Sequence, residues 1–104
     1  MNRLAVCLST TLLAIAPFAA QANKALATKN GCLGCHAVAA KLVGPAYKDV
    51  AAKYAEQPDA AEVLAKSIRA GGAGKWGEMA MPPQSQLTEA DAKKLAAWIL
   101  GGAK

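Results

Sequence analysis

Three residues able to do chemistry fall in one short run, Cys32-Leu33-Gly34-Cys35-His36. Two thiols and an imidazole at this spacing admit four readings. A redox dithiol also uses Cys-x-x-Cys, but usually beside a βαβ pattern, and none is legible here. A structural zinc site needs four nitrogen or sulfur ligands. The chain after residue 22 offers three, because His36 is its sole histidine. Inert free thiols fit poorly with the export signal described below, since they do not persist in oxidising compartments. Covalent attachment of a c-type haem accounts for both cysteines and for the histidine that follows them. Residues i and i+3 share one side of a helical turn, so both sulfurs can reach the two vinyl groups along one porphyrin edge. His36 can then place its imidazole under the iron as an axial ligand. Gly34 lets the backbone approach the macrocycle closely.

The iron's second axial position needs a different donor. Methionine is a common partner of histidine in cytochromes, where it raises the potential. After residue 22 the candidates are Met79 and Met81. Met81 is the expected ligand, because Pro82-Pro83 stiffens the backbone after it. Met79 reads as core filler. With His36 and Met81 both bound, no open position remains for a substrate. That describes a one-electron carrier and not an enzyme, and no catalytic residue is assigned. The alternative is a haem peroxidase-like enzyme or a gas or redox sensor, either of which requires an open iron site.

The elements that must position these residues are short. Asn2 and Arg3 precede an uncharged, largely apolar stretch, Leu4 to Ala20, which ends in Ala20-Gln21-Ala22. This is the pattern of a secretory signal peptide, so residues 1–22 are expected to be removed and residues 23–104 to form one domain. Its Cys7 lies too early to be a lipid-modified cysteine and is expected to leave with the peptide. A domain of 82 residues buries a limited core and needs a staple. Cys32 and Cys35 are too close together for a disulfide between them to supply one. A cofactor is therefore the expected stabiliser.

The remaining chain reads as helices divided by Gly and Pro. Ala25 to Asn30 is expected to be helical. Pro45 suits a first helical position, with Tyr47, Val50, Ala51 and Tyr54 following at helical spacing. Asp59 and Glu62 resemble a capping pair for a helix whose apolar face is Val63, Leu64 and Ile68 and which stops at Gly71-Gly72. Ala73 to Gln86 reads as a long loop, a kind that is usually functional or disordered. Thr88 and Asp91 fit a capping box for a last helix with Ala92, Leu95, Trp98 and Ile99 on one face. No strand alternation or internal repeat is visible. The expected class is all-α.

In sequence order the chain shows Gly31-Cys32-x-x-Cys35-His36, then Val43-Gly44-Pro45-Ala46-Tyr47-Lys48-Asp49-Val50-Ala51. Gly71-Gly72-Ala73-Gly74-Lys75-Trp76-Gly77, Met81-Pro82-Pro83 and Trp98-Ile99-Leu100 follow. This set resembles the small bacterial class I cytochromes c, the group that includes cytochromes c-551 and c-552. The resemblance implies about four short helices wrapped around one covalent haem c that cycles between Fe2+ and Fe3+. It implies Cys32 and Cys35 as thioether anchors, with His36 and Met81 as the axial ligands. It also implies that the Pro45 carbonyl accepts from the other ring N–H of His36, fixing its tautomer. Trp76 would donate its indole N–H to a haem propionate, and Gln84 would place an amide near the methionine sulfur. Core packing alone would also suit Trp76, and it is the expected role of Trp98. Two departures stand out. Met79-Ala80 replaces a β-branched residue and proline, which leaves the loop less stiff and supplies a second thioether. Lys75 replaces an apolar residue and adds a charge near the expected haem edge.

The whole chain carries +5. Without Arg3, eleven basic and seven acidic side chains leave +4. A basic balance suits acidic partner surfaces and salt-dependent encounter. Nucleic-acid binding has no support beyond this basic balance, which alone is weak evidence, and none is expected. The resemblance implies a periplasmic monomer without stable membrane insertion. Its donor would be a quinol-oxidising complex, and its acceptor a terminal oxidase or nitrite reductase.

Overall fold

The computed structural model describes residues 18–104. The basic start, most of the apolar run and Cys7 lie outside the described residues. Four helices are described: α1 (Phe18–Lys29), α2 (Tyr47–Tyr54), α3 (Ala60–Ala70) and α4 (Glu89–Leu100). A single 3-10 turn, Cys32–Gly34, follows α1. Among the described residues there are two isolated β-bridges, His36 with Lys41 and Gly72 with Met81, and no strand. No helix of the described residues is long and apolar enough to cross a membrane.

α4 is the hub, packing against α1, α2 and α3. Thr88 starts it as expected, its hydroxyl accepting from the Asp91 backbone N–H at 3.1 Å. That bond satisfies one of the free donors of a helix N-terminus. Ala92, Leu95, Ala96, Trp98 and Ile99 are buried. The fully inaccessible Ala27, Ala92 and Ala96 keep side-chain bulk low where α1 packs on α4. α2 turns Tyr47, Val50 and Tyr54 inward, and α3 turns Leu64, Ala65 and Ile68 inward. These residues form one cluster with those of α4.

Three local expectations are corrected. α1 reaches back to Phe18 and ends at Lys29, because Ala19-Ala20-Gln21-Ala22 contains strong helix formers and no breaker. Pro45 is not a first helical residue. Ala46 is the N-cap and Tyr47 begins α2, which leaves the Pro45 carbonyl free for another partner. Asp59 is the N-cap of α3, but its side chain makes no capping bond. Its Oδ1 accepts instead from Gln57 Nε2 at 3.1 Å, a competing local bond of the kind short polar side chains favour.

Candidate haem site

The Cys-His run forms a tight turn. Cys35 N donates to Cys32 O at 3.2 Å, and His36 N donates to the same carbonyl at 2.9 Å. The 3-10 geometry eclipses residues three apart, which places Cys32 and Cys35 on one side. Both are free thiols, Cys32 half-buried and Cys35 exposed. Burial is the main influence that pushes the Cys32 thiol pKa up.

The segment after the turn folds back on it. Gly44 N donates to Cys35 O at 2.7 Å, and Tyr47 N donates to Ala37 O at 2.9 Å. This return sets Pro45 O 2.8 Å from His36 Nδ1. A carbonyl can only accept, so Nδ1 carries the proton and donates. In the neutral ring that tautomer leaves the Nε2 lone pair available, the form a metal requires. Tyr47 stacks on the His36 ring at 5.2 Å with an interplanar angle of 16° and meets Trp98 edge-on at 5.6 Å. The imidazole is thus coupled through Tyr47 to α4. Burial, and secondarily the Cys32 thiol beside it, pushes the Tyr47 hydroxyl pKa up, so Tyr47 stays neutral. Gly44 is required by contact, since a Cβ there would sit 2.8 Å from His36 Nδ1 and 2.9 Å from Nε2.

Met81 is held by its backbone. Its N–H donates to Gly72 O at 2.8 Å, and its carbonyl accepts from Gly72 N at 3.0 Å. Gly71, at φ +68°, lies against the same segment, where a Cβ would approach Pro83 N at 2.7 Å and Pro82 C at 2.9 Å. The loop around the methionine therefore does not depend on a proline at position 80 for stiffness. The two-bond bridge to the end of α3 supplies it. Met81 is half-buried and packs on the core. Met79 is 68% exposed, so its reading as core filler is corrected. Three flanking residues, Glu78, Ala80 and Pro82, are also exposed and offer no core to fill.

These parts converge on one cavity of about 470 Å³, whose walls include Cys32, Cys35, His36, Pro45, Trp76, Met81 and Gln84. Leu64, Ile68, Leu95 and Ile99 supply its apolar lining. The volume lies within the range of small-molecule and cofactor pockets. The anchors, ligands and supporting residues expected from the sequence, Cys32, Cys35, His36, Pro45, Trp76, Met81 and Gln84, thus border the same space, whereas Gly34 does not. Gln84 Nε2 donates to Pro82 O at 3.0 Å, and its Oε1 accepts from Gln86 at 2.9 Å. The Gln84 amide is therefore fixed next to the methionine segment. Trp76 is half-buried beneath the Lys53 ammonium, 4.3 Å from the ring centroid, a cation–π contact. Lys53 also donates to Lys75 O at 3.1 Å. Lys75 turns back to α2 and donates to the Tyr54 hydroxyl. Among the described residues no group of three or more His, Cys, Asp and Glu side chains is placed to hold a metal ion.

The donor set fits a haem: two unpaired thiols at one edge of an apolar cavity, an imidazole whose Nδ1 is engaged by Pro45, and a methionine whose backbone is pinned beside it. The sequence marks Tyr47 as a helix-face residue and Gly71 as a helix stop, but gives none of Tyr47, Gly44 and Gly71 a role at this site. The clashes that a side chain would meet at both glycines emerge only once separate segments of the chain are brought together.

An all-α domain closed around such a cavity defines the class I cytochrome c type. The Cytochrome c family model matches residues 20–103, and the chain belongs to that family, whose members of this type carry one covalent haem c. It is 56% identical over 81 residues to cytochrome c-552 of Nitrosomonas europaea, covering 78% of this chain and 79% of that one. It is 56% identical over 79 residues to cytochrome c-552 of Hydrogenobacter thermophilus, covering 76% and 80%. The crystal structure of wild-type Nitrosomonas europaea cytochrome c552 superposes with a TM-score of 0.73 at 53% identity, covering 76% of this chain and 98% of that one.

Proposed function

We propose that this chain is a periplasmic one-electron carrier whose residues 1–22 direct export and whose residues 23–104 do the work. The observation that carries the reading is the pair of held donors, His36 and Met81, on one apolar cavity that also contains both cysteines. Cys32 and Cys35 would anchor the haem through thioethers, and His36 Nε2 and Met81 sulfur would be its axial ligands. When bound, the haem supplies an iron that takes up and gives back one electron.

The protein's task is to let that change occur with little motion. Pro45 O and the Tyr47 ring fix the imidazole, while Gly72 fixes the Met81 backbone. Leu64, Ile68, Leu95 and Ile99 exclude water from the cavity wall, and the low polarity tunes the potential. Trp76, on the same wall, would offer its indole N–H to a propionate. Gln84, held against Pro82, keeps an amide beside the methionine segment.

A basic surface favours acidic faces on the redox partners. We assign the donor to a quinol-oxidising complex and the acceptor to a terminal oxidase or nitrite reductase. Transfer rates that do not change with ionic strength would remove the electrostatic part of this assignment. N-terminal sequencing of the purified protein tests export; a start at Asn23 is expected, and an intact Met1 on periplasmic material would refute cleavage. Carbon monoxide titration of the reduced protein separates a carrier from an enzyme or sensor. No rapid binding is expected at neutral pH, and fast, tight binding overturns the carrier reading.

A further inference from the structure

The cavity borders two thioethers, and the proposed function uses one. Met79 and Met81 both line it. They are two residues apart in a stretch that forms no helix and reaches the Gly72–Met81 bridge. Ala80, between them, borders it as well, so the whole short stretch runs along the cavity wall. The two differ in how firmly they are held. Met81 is bonded to Gly72 through both its N–H and its carbonyl and packs on the core. Met79 is 68% exposed. The loop before it turns on Gly74 and Gly77, at φ +86° and +120°. Methionine is unbranched with a flexible thioether arm, so a side chain anchored at the rim can reach inward. Ala80, between the two, adds no bulk to obstruct it.

We infer that Met79 is a reserve axial ligand, a second thioether for the iron position that Met81 ordinarily fills. The exchange breaks the Met81 sulfur–iron bond and forms a Met79 sulfur–iron bond, with no change in electron count. Loss of Met81 then leaves the iron closed by a thioether and still poor at taking carbon monoxide. The inference rests on Met81 as the ordinary ligand.

The test uses the haem-loaded protein in four forms: unaltered, Met79→Leu, Met81→Leu and the double variant. Leucine keeps the apolar volume of methionine without the thioether, and Met81→Ala serves as a second variant should Met81→Leu fail to load haem. The readouts are the far-red thioether-to-ferric-iron band and the strongly upfield-shifted methyl resonance of a ligated methionine in the reduced protein. After removal of residues 1–22, Met81→Leu contains Met79 as its only methionine, so such a resonance has one source. Met79→Leu is expected to leave both signals unchanged. Met81→Leu is expected to keep the band with a shifted methyl, and the double variant to lose both. Loss of both signals in Met81→Leu and Met81→Ala, with Met79→Leu unaffected, overturns the reserve role and leaves Met81 as the ligand. Loss of the band in Met79→Leu alone overturns both assignments.

Discussion

Gly71→Ala should damage this fold through two separate effects, backbone strain and collision with main-chain atoms. Gly71 sits at φ +68° and ψ −173°, a region essentially closed to other residues, so backbone strain alone costs about 1–3 kcal/mol. The added Cβ would also meet main-chain atoms, with Pro83 N at 2.7 Å and Pro82 C at 2.9 Å. Backbone cannot rotate aside as a side chain can, and overpacking of this kind costs about 1–3 kcal/mol more. The displaced segment is the one bonded to Gly72 through Met81, so the axial thioether should shift with it. Gly74→Ala is the matched control. It carries φ +86° with nothing within 4 Å of the Cβ position, and so incurs strain without collision. In a domain of this size, 1 kcal/mol moves the melting midpoint by about 4–8 °C. Gly71→Ala, at about 2–6 kcal/mol in total, should lower it by at least about 8 °C and weaken the far-red thioether band. Gly74→Ala should lower it less and leave the band intact. Thermal denaturation followed by circular dichroism, with the ferric spectrum recorded alongside, measures both. Equal midpoints with the band intact in both variants would refute the claim that Gly71 shapes the methionine segment.

Gly44→Ala should push the His36 ring off Pro45 O and cost about 1–3 kcal/mol, read as a lower denaturation midpoint with a perturbed ferric spectrum; an unchanged pair would show that the ring is not confined there. Thr88→Ala removes the cap at Asp91 N and should cost about 1 kcal/mol with no change in the haem spectrum, checked by the same melt. The Cys32→Ala/Cys35→Ala protein should be largely unfolded, because an 82-residue domain with a central cavity has little core left; native helical circular dichroism would contradict this.

The parts of the site legible in the sequence are those whose chemistry depends on local spacing. Cys32, Cys35 and His36 lie within one turn, so their covalent and ligand roles follow from adjacency. α4 was readable because Thr88 and Asp91 stand at capping spacing and its apolar face runs through Ala92, Leu95, Trp98 and Ile99. Asp59 misled because Gln57, two residues away, captures its carboxylate. Pro45 suggested a helix start because its ring suits one, yet the carbonyl it presents to His36 is what the fold uses. Met79 and Met81 look alike in composition. The Gly72 bridge that distinguishes them joins residues nine apart through backbone alone, which no side-chain pattern records. Tyr47 was visible as a core residue on α2, but its stacking on His36 depends on how the segment from residue 37 to 46 folds back.

The absorption spectrum of the purified haem protein, oxidised and then reduced, tests the central claim that His36 and Met81 together close a covalently held iron. The expected result is a low-spin spectrum in both states, with the bands of a two-thioether haem when reduced and the far-red thioether band when oxidised. A high-spin spectrum, or a low-spin one without that band, would contradict it.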